Sequence, residues 1–203
     1  MAQHISSIPV QLPKKEIYSR MKYNIHKTDI ETNQKIKIDA IIDDAFSLCH
    51  CSGLWQRVDI TEKNDDIIVF NNIHQTNSKK LIELLKDSNA AVFMAVTAGK
   101  DIIEAISEKS AAQKTTEALI FDAVGSETAD SSMDWLVSYI NQNLVRSSEI
   151  LTKFRFSPGY GDLFIDFQKE IDTVLQLKNI NVVLNNRLIL QPEKSVTAIA
   201  GII

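Results

Sequence analysis

The chain has 203 residues, 44% apolar and 24% charged, with a formal net charge of −4. This is globular composition, long enough to enclose a substantial core. Neither half is strongly basic, which argues against a dedicated nucleic-acid binder, and no apolar run approaches the ~18 residues of a membrane span.

The N-terminus MAQHISSIPV lacks the charged-then-apolar layout of a signal peptide, so a cytoplasmic protein is expected, with neither membrane nor nucleic acid as partner. Ile5 to Leu12 alternates weakly before Pro13 and predicts an edge strand; Lys14 to Met21 predicts a short helix. Gln34 to Cys49 places Ile38, Ile41, Ile42, Ala45, Phe46 and Cys49 at helical spacing, with Gly53 as the stop. The two cysteines, Cys49 and Cys51, are too close for an easy disulfide, and apart from His50 between them the remaining histidines, His4, His26 and His74, are scattered. A reduced pair at a helix end is expected, with a metal or redox role as the alternative.

LWQRVDI and DDIIVF predict strands joined by a polar turn around Lys63 and Asn64. In NSKKLIELLKDSN, Ser78 or Asn77 caps a helix striped by Leu81, Ile82, Leu84 and Leu85. AAVFMAVTAGK is a buried strand running into a turn at Gly99, before a helix from Asp101 to Lys109. Backbone N–H groups in that passage suit an anion, but no second glycine stands at phosphate-loop spacing, which favours a plain tight turn.

The longest helical pattern runs from about Lys114 to Val145, with a seam of Leu119, Ala123, Ser126, Asp130, Met133, Val137, Ile140 and Leu144. Asp130 falls within this seam, amid small residues that let a backbone or a ligand come close. The seam predicts a buried carboxylate needing a partner. The alternatives are that Asp130 is partly exposed, or caps a second helix after a break near Gly125. Downstream, Asp162 is placed to cap a helix through Leu177 that Asn179 ends, NVVLNNRLIL to form a hairpin turning at Asn185-Asn186, and SVTAIAGII to form the last strand. Strands at both ends and in the middle, mixed with helices, point to an α+β fold.

Two of the six glycines flank Tyr160 in RFSPGYGD, residues 155–162. Arg155 offers a planar fork of donors for a carboxylate or phosphate, Pro158 stiffens the turn, and Gly159 and Gly161 remove Cβ atoms beside an aromatic face. Such a turn suits a small zwitterion bearing an aromatic ring; a ligand-free Pro-Gly turn before a helix is the alternative.

The segment RFSPGYG, then a helix, then LNNRLILQPEKSVTAIAG resembles the S-adenosylmethionine-binding activation domain of cobalamin-dependent methionine synthase. That family carries an R-x-x-P-G-Y segment followed by a hairpin and a P-x-x-S-V strand, matched here by Pro192, Ser195 and Val196. LIFDAVGSETADSSMDWL is similar to its small-residue helix, with Asp130 at a position where the family usually has Glu, and Glu149 matches a further acidic position. The similarity covers about residues 80–201. It implies a mixed, largely antiparallel twisted sheet with flanking helices, in a stand-alone, single-domain version of the module over residues 1–203. It implies that Arg155 takes the carboxylate of S-adenosylmethionine, that Asp130 and Glu149 offset its ammonium and sulfonium, and that Ser157 and Gly159, with Tyr160, frame the adenosine. No catalytic base and no metal site are implied. The expected partner is a separate methionine synthase carrying cobalamin, reactivated by reductive methylation with a flavodoxin-like electron donor; no D-x-H-x-x-G segment is present to bind cobalt in this chain. Another corrinoid methyltransferase as partner, or a non-catalytic docking protein of the same fold, are the alternatives.

Overall fold

The computed structural model describes residues 1–23 and 31–203, so His26 lies outside the described residues. Strand β1, Gln3–Ile5, pairs antiparallel with β2, Ser52–Lys63. It ends at Ile5, where the expected strand from Ile5 to Leu12 begins, because the chain then leaves the ladder: Ile8 N–H donates to the Cys51 carbonyl and Ile8 drops into the core. Helices α1, Lys14–Arg20, and α2, Thr32–Ser47, follow. Gly53 does not stop α2; it lies within β2, opposite Val96.

The short strands β3, Ile68–Phe70, and β4, His74–Thr76, continue the sheet beside β2. Helix α3, Lys79–Leu84, is capped by Ser78, whose hydroxyl accepts from Leu81 N–H. Strand β5, Ala90–Thr97, is buried at every position, as its unbroken apolar run predicts for a strand covered on both faces. Helix α4, Asp101–Ala111, leads to the 30-residue helix α5, Thr115–Leu144. After a reversal at Ser148 the chain returns as an irregular segment, then forms α6, Gln168–Leu175, the two-residue strands β6, Val183–Leu184, and β7, Leu190–Gln191, and β8, Ser195–Ile202.

The result is α+β: a curled antiparallel sheet in the order β4-β3-β2-β5-β8, with β1 also on β2. Side-chain alternation divides the core. Ala91, Phe93, Ala95 and Ile199 face α3 and α6, where Phe70, Phe93 and Phe167 meet edge to face at 5.2–6.2 Å. Val92, Met94, Ala198 and Ala200 face Met133, Leu136 and Ile140 of α5. The first half of α5 packs instead on α1, α2 and α4 through Ile120, Phe121 and Val124.

The buried face of α5 departs from the expected seam. Leu119 is 64% exposed, Asp130 is exposed, and the buried set includes Gly125, Ala129, Ser132 and Leu136. The seam has a 3.5-residue period, and an ideal helix drifts about 20° per heptad from it, roughly 70° over this length. The helix is unbroken at Gly125, so Asp130 neither sits in the core nor caps a second helix.

Candidate functional site

A cavity of about 430 Å³ opens where β8 begins, within the usual size range of ligand pockets. It straddles the edge of the sheet. Asp130 comes from α5 on one face, Gln168 and Leu190 come from the other, and Ser195, Val196 and Thr197 supply the floor. The turn from Arg155 to Tyr160 forms the wall.

The position of that wall follows from pairing. Phe156 exchanges two backbone hydrogen bonds with Ile199, each 2.8 Å, which continues the sheet past β8. Alternation then sends Phe156 to the α6 face and Arg155 toward α5. There the Arg155 guanidinium donates to Asp134 at 2.6 Å. Asp134 stands one turn after Asp130 on α5, so both acids address one guanidinium. Desolvation, then the charge of Glu127, push the Asp130 carboxyl above the usual range, while Arg20 and Arg155 pull it back. Three carboxylates along this helix therefore face two guanidiniums, with Arg20 held by Glu127 at 2.8 Å.

The turn is built from inside. Gly159, at φ +89, gives its N–H to the Leu163 carbonyl, and Tyr160 N–H goes to Ser157. Gly161, at φ +57, lies where a Cβ would stand 2.9 Å from Lys80. Asp162 does not cap α6; its carboxylate accepts from Ser78 Oγ at 2.6 Å and Lys79 N–H at 2.8 Å, capping α3. These bonds hold its pKa below the ordinary value.

Of the residues expected from sequence, Arg155, Ser157, Tyr160 and Asp130 line one cavity. Gly159 shapes the turn without lining it, and its N–H is already taken. Glu149 is placed elsewhere: Arg57 grips it in a fork at 2.7 and 3.0 Å, beside the far end of β8, where Ile150 pairs with Ile203. That guanidinium lowers its pKa. Spacing alone does not reveal Asp134, Gln168 or Thr197; the i, i+4 repeat of acids on α5 is the one local signal for the first. The small-residue run of α5 is covered by Lys194, whose stem lies 3.1 Å from a Cβ built at Gly125 and whose ammonium reaches Asp122 at 2.6 Å and Ser126 at 2.8 Å.

Cys49 and Cys51 are free thiols against α5, and burial pushes Cys49 up to about 12. Among the described residues, no group of three or more His, Cys, Asp or Glu side chains is arranged to hold a metal ion, and no helix is long and apolar enough to cross a membrane.

No family model and no curated protein matches the chain. Among solved structures it is similar to the MetH reactivation domain bound to AdoHcy, with a TM-score of 0.73 at 13% identity, over 99% of this chain and 78% of that one. The fold is that of the MetH reactivation domain. The α+β architecture expected from the RFSPGYG and P-x-x-S-V segments is thus the one observed, although so few residues are shared. Residues of both segments line the cavity described above, Arg155 to Tyr160 as its wall and Ser195 and Val196 in its floor.

Proposed function

We propose that the cavity at the head of β8 binds S-adenosylmethionine. The observation that carries this reading is the meeting of Asp130, Arg155, Ser157 and Tyr160 around one opening, in a fold shared with a domain solved with AdoHcy. The residues fit the group. Arg155 engages Asp134 through one nitrogen and keeps further N–H groups for a carboxylate. Asp134 is 69% exposed, and such pairs contribute at most about 1 kcal/mol, so a ligand carboxylate competes at little cost. Asp130 and Asp134 supply negative charge for an ammonium and a sulfonium. Ser157 and Tyr160 frame the remainder of the opening, and Gly159 sets the turn that presents Tyr160.

The chain's residues orient a donor rather than act on it chemically. Held there, S-adenosylmethionine would supply a methyl cation equivalent which, with one electron from a flavodoxin-like protein, would return the cob(II)alamin of a partner methionine synthase to its methylated form, leaving S-adenosylhomocysteine in the cavity; Arg155, Asp130 and the turn would hold and orient the donor. Tyr160 and Phe164, each 69% exposed, and Ile165, 40% exposed, lie in the wall and the residues just after it and offer that partner an apolar rim.

Titration calorimetry with S-adenosylmethionine tests the reading. Saturable binding is expected, weakened at least tenfold by Arg155→Ala, the loss of a charge-assisted pair being about 1.5–3 kcal/mol. Absence of heat in the wild type, or equal affinity in the variant, overturns it.

A further inference from the structure

The α6 face of the cavity holds a polar pair that neither packing nor the ion pairs explain. Gln168 is 5% exposed and Thr197 is 2% exposed, beside Phe167 and Ile199 of an apolar cluster. Thr197 Oγ1 donates to Gln168 Oε1 at 2.7 Å. The amide nitrogen has no hydrogen-bond partner among the described residues, and Gln168 lines the cavity. Its N–H groups are therefore presented to the cavity, at a position where leucine or methionine would serve the packing alone. With the carboxamide oxygen on the hydroxyl, the nitrogen is the end that meets the cavity.

The two ends of the site differ chemically. Asp130, Asp134 and Arg155 charge the end toward α5. Toward α6 stand Leu190, Pro158 and the neutral Gln168 amide. A ligand with a charged amino-acid tail and a flat, uncharged head is accommodated in one direction only, head toward α6. We propose that Gln168, oriented by Thr197, is the specificity-determining donor to a ring nitrogen of the ligand's purine. This rests on the S-adenosylmethionine reading and assigns which residue recognises the base.

The probe is S-adenosylhomocysteine with its 1-deaza, 3-deaza and 7-deaza analogues, each replacing one ring nitrogen by C–H. Affinities are measured by calorimetry on the full chain. One analogue is expected to bind the wild type about three- to tenfold more weakly than the parent, the worth of one neutral hydrogen bond. Gln168→Leu should weaken the parent by a similar factor and cease to distinguish that analogue. Gln168→Met keeps the length of the side chain and introduces no charge but removes the donor, so it should lose affinity at little cost in melting temperature. Thr197→Val should fall between wild type and Gln168→Leu. A purely structural glutamine would lower the melting temperature and leave the discrimination among analogues intact, which overturns the inference. So does parent affinity unchanged in both Gln168 variants while the wild type binds. No binding by the wild type overturns the S-adenosylmethionine reading itself, and this inference with it.

Discussion

At the scale of single residues, Asp162 links the turn from Arg155 to Gly161 to the rest of the molecule. Its carboxylate closes the N-terminus of α3, where free N–H groups and the helix dipole favour negative charge, and it holds Gly161 against Lys80. Because its folded pKa lies below the ordinary 3.8, its contribution is present above that value and lost as the pH falls through the folded pKa. Asp162→Asn should therefore melt below the wild type at neutral pH, and the gap should close in acid, where the wild-type carboxylate also takes up a proton. A gap that stays constant across thermal melts from about pH 7 to pH 3 overturns the assignment. Ser78→Ala, which removes the hydroxyl cap and its bond to Asp162, should cost about 1 kcal/mol in urea unfolding. The sequence shows an aspartate beside a glycine turn, but not which helix it caps. Asp162 sits close before α6, whereas its bonds go to a helix more than eighty positions upstream. Arg155 was legible in a different way: its own chemistry and the adjoining residues single it out, and the structure places it in the cavity wall.

At the scale of elements, α5 carries two packing faces, one for helices and one for the sheet, and this is why a single straight seam misplaces Asp130. The same change of face brings Asp130 and Asp134 to the sheet edge, where Arg155 meets them. The small residues of α5 do mark a close approach, but the approaching group is Lys194, 72 positions from its partner Asp122, and no local pattern announces it. Gly125→Leu should force the Lys194 stem and Ile102 aside, both within 3.2 Å of the added Cβ. Overpacking of this kind costs about 1–3 kcal/mol. Because Ser195 follows Lys194 directly, the same variant should also weaken S-adenosylmethionine binding. Urea unfolding and calorimetry measure the two effects, and a variant as stable as the wild type refutes the contact.

At the scale of the whole molecule, strand positions were readable from apolar runs, but the spatial order was not. Nothing local in Ser195–Ile202 says that it lies beside Ala90–Thr97, or that residues 155–157 extend the sheet beyond it. Yet that order makes the site, since β8 and the residues paired beyond it lie at the border of the sheet, where groups from both faces reach one cavity. It also keeps the charged end of the cavity, toward α5, apart from the exposed rim that follows the wall. On the proposed function, holding a ligand and presenting it are therefore separable tasks. Phe164 is 69% exposed and does not line the cavity, so Phe164→Asp should leave S-adenosylmethionine affinity within about twofold of wild type. If the rim seats a cobalamin-bearing partner, one carboxylate buried unpaired in that contact should slow reactivation of the partner at least tenfold. Arg155→Ala should slow the same reaction through lost ligand affinity, and saturating S-adenosylmethionine should restore it; no concentration of ligand should restore Phe164→Asp. If ligand rescues both variants alike, the rim does not dock the partner, and presentation must use another surface.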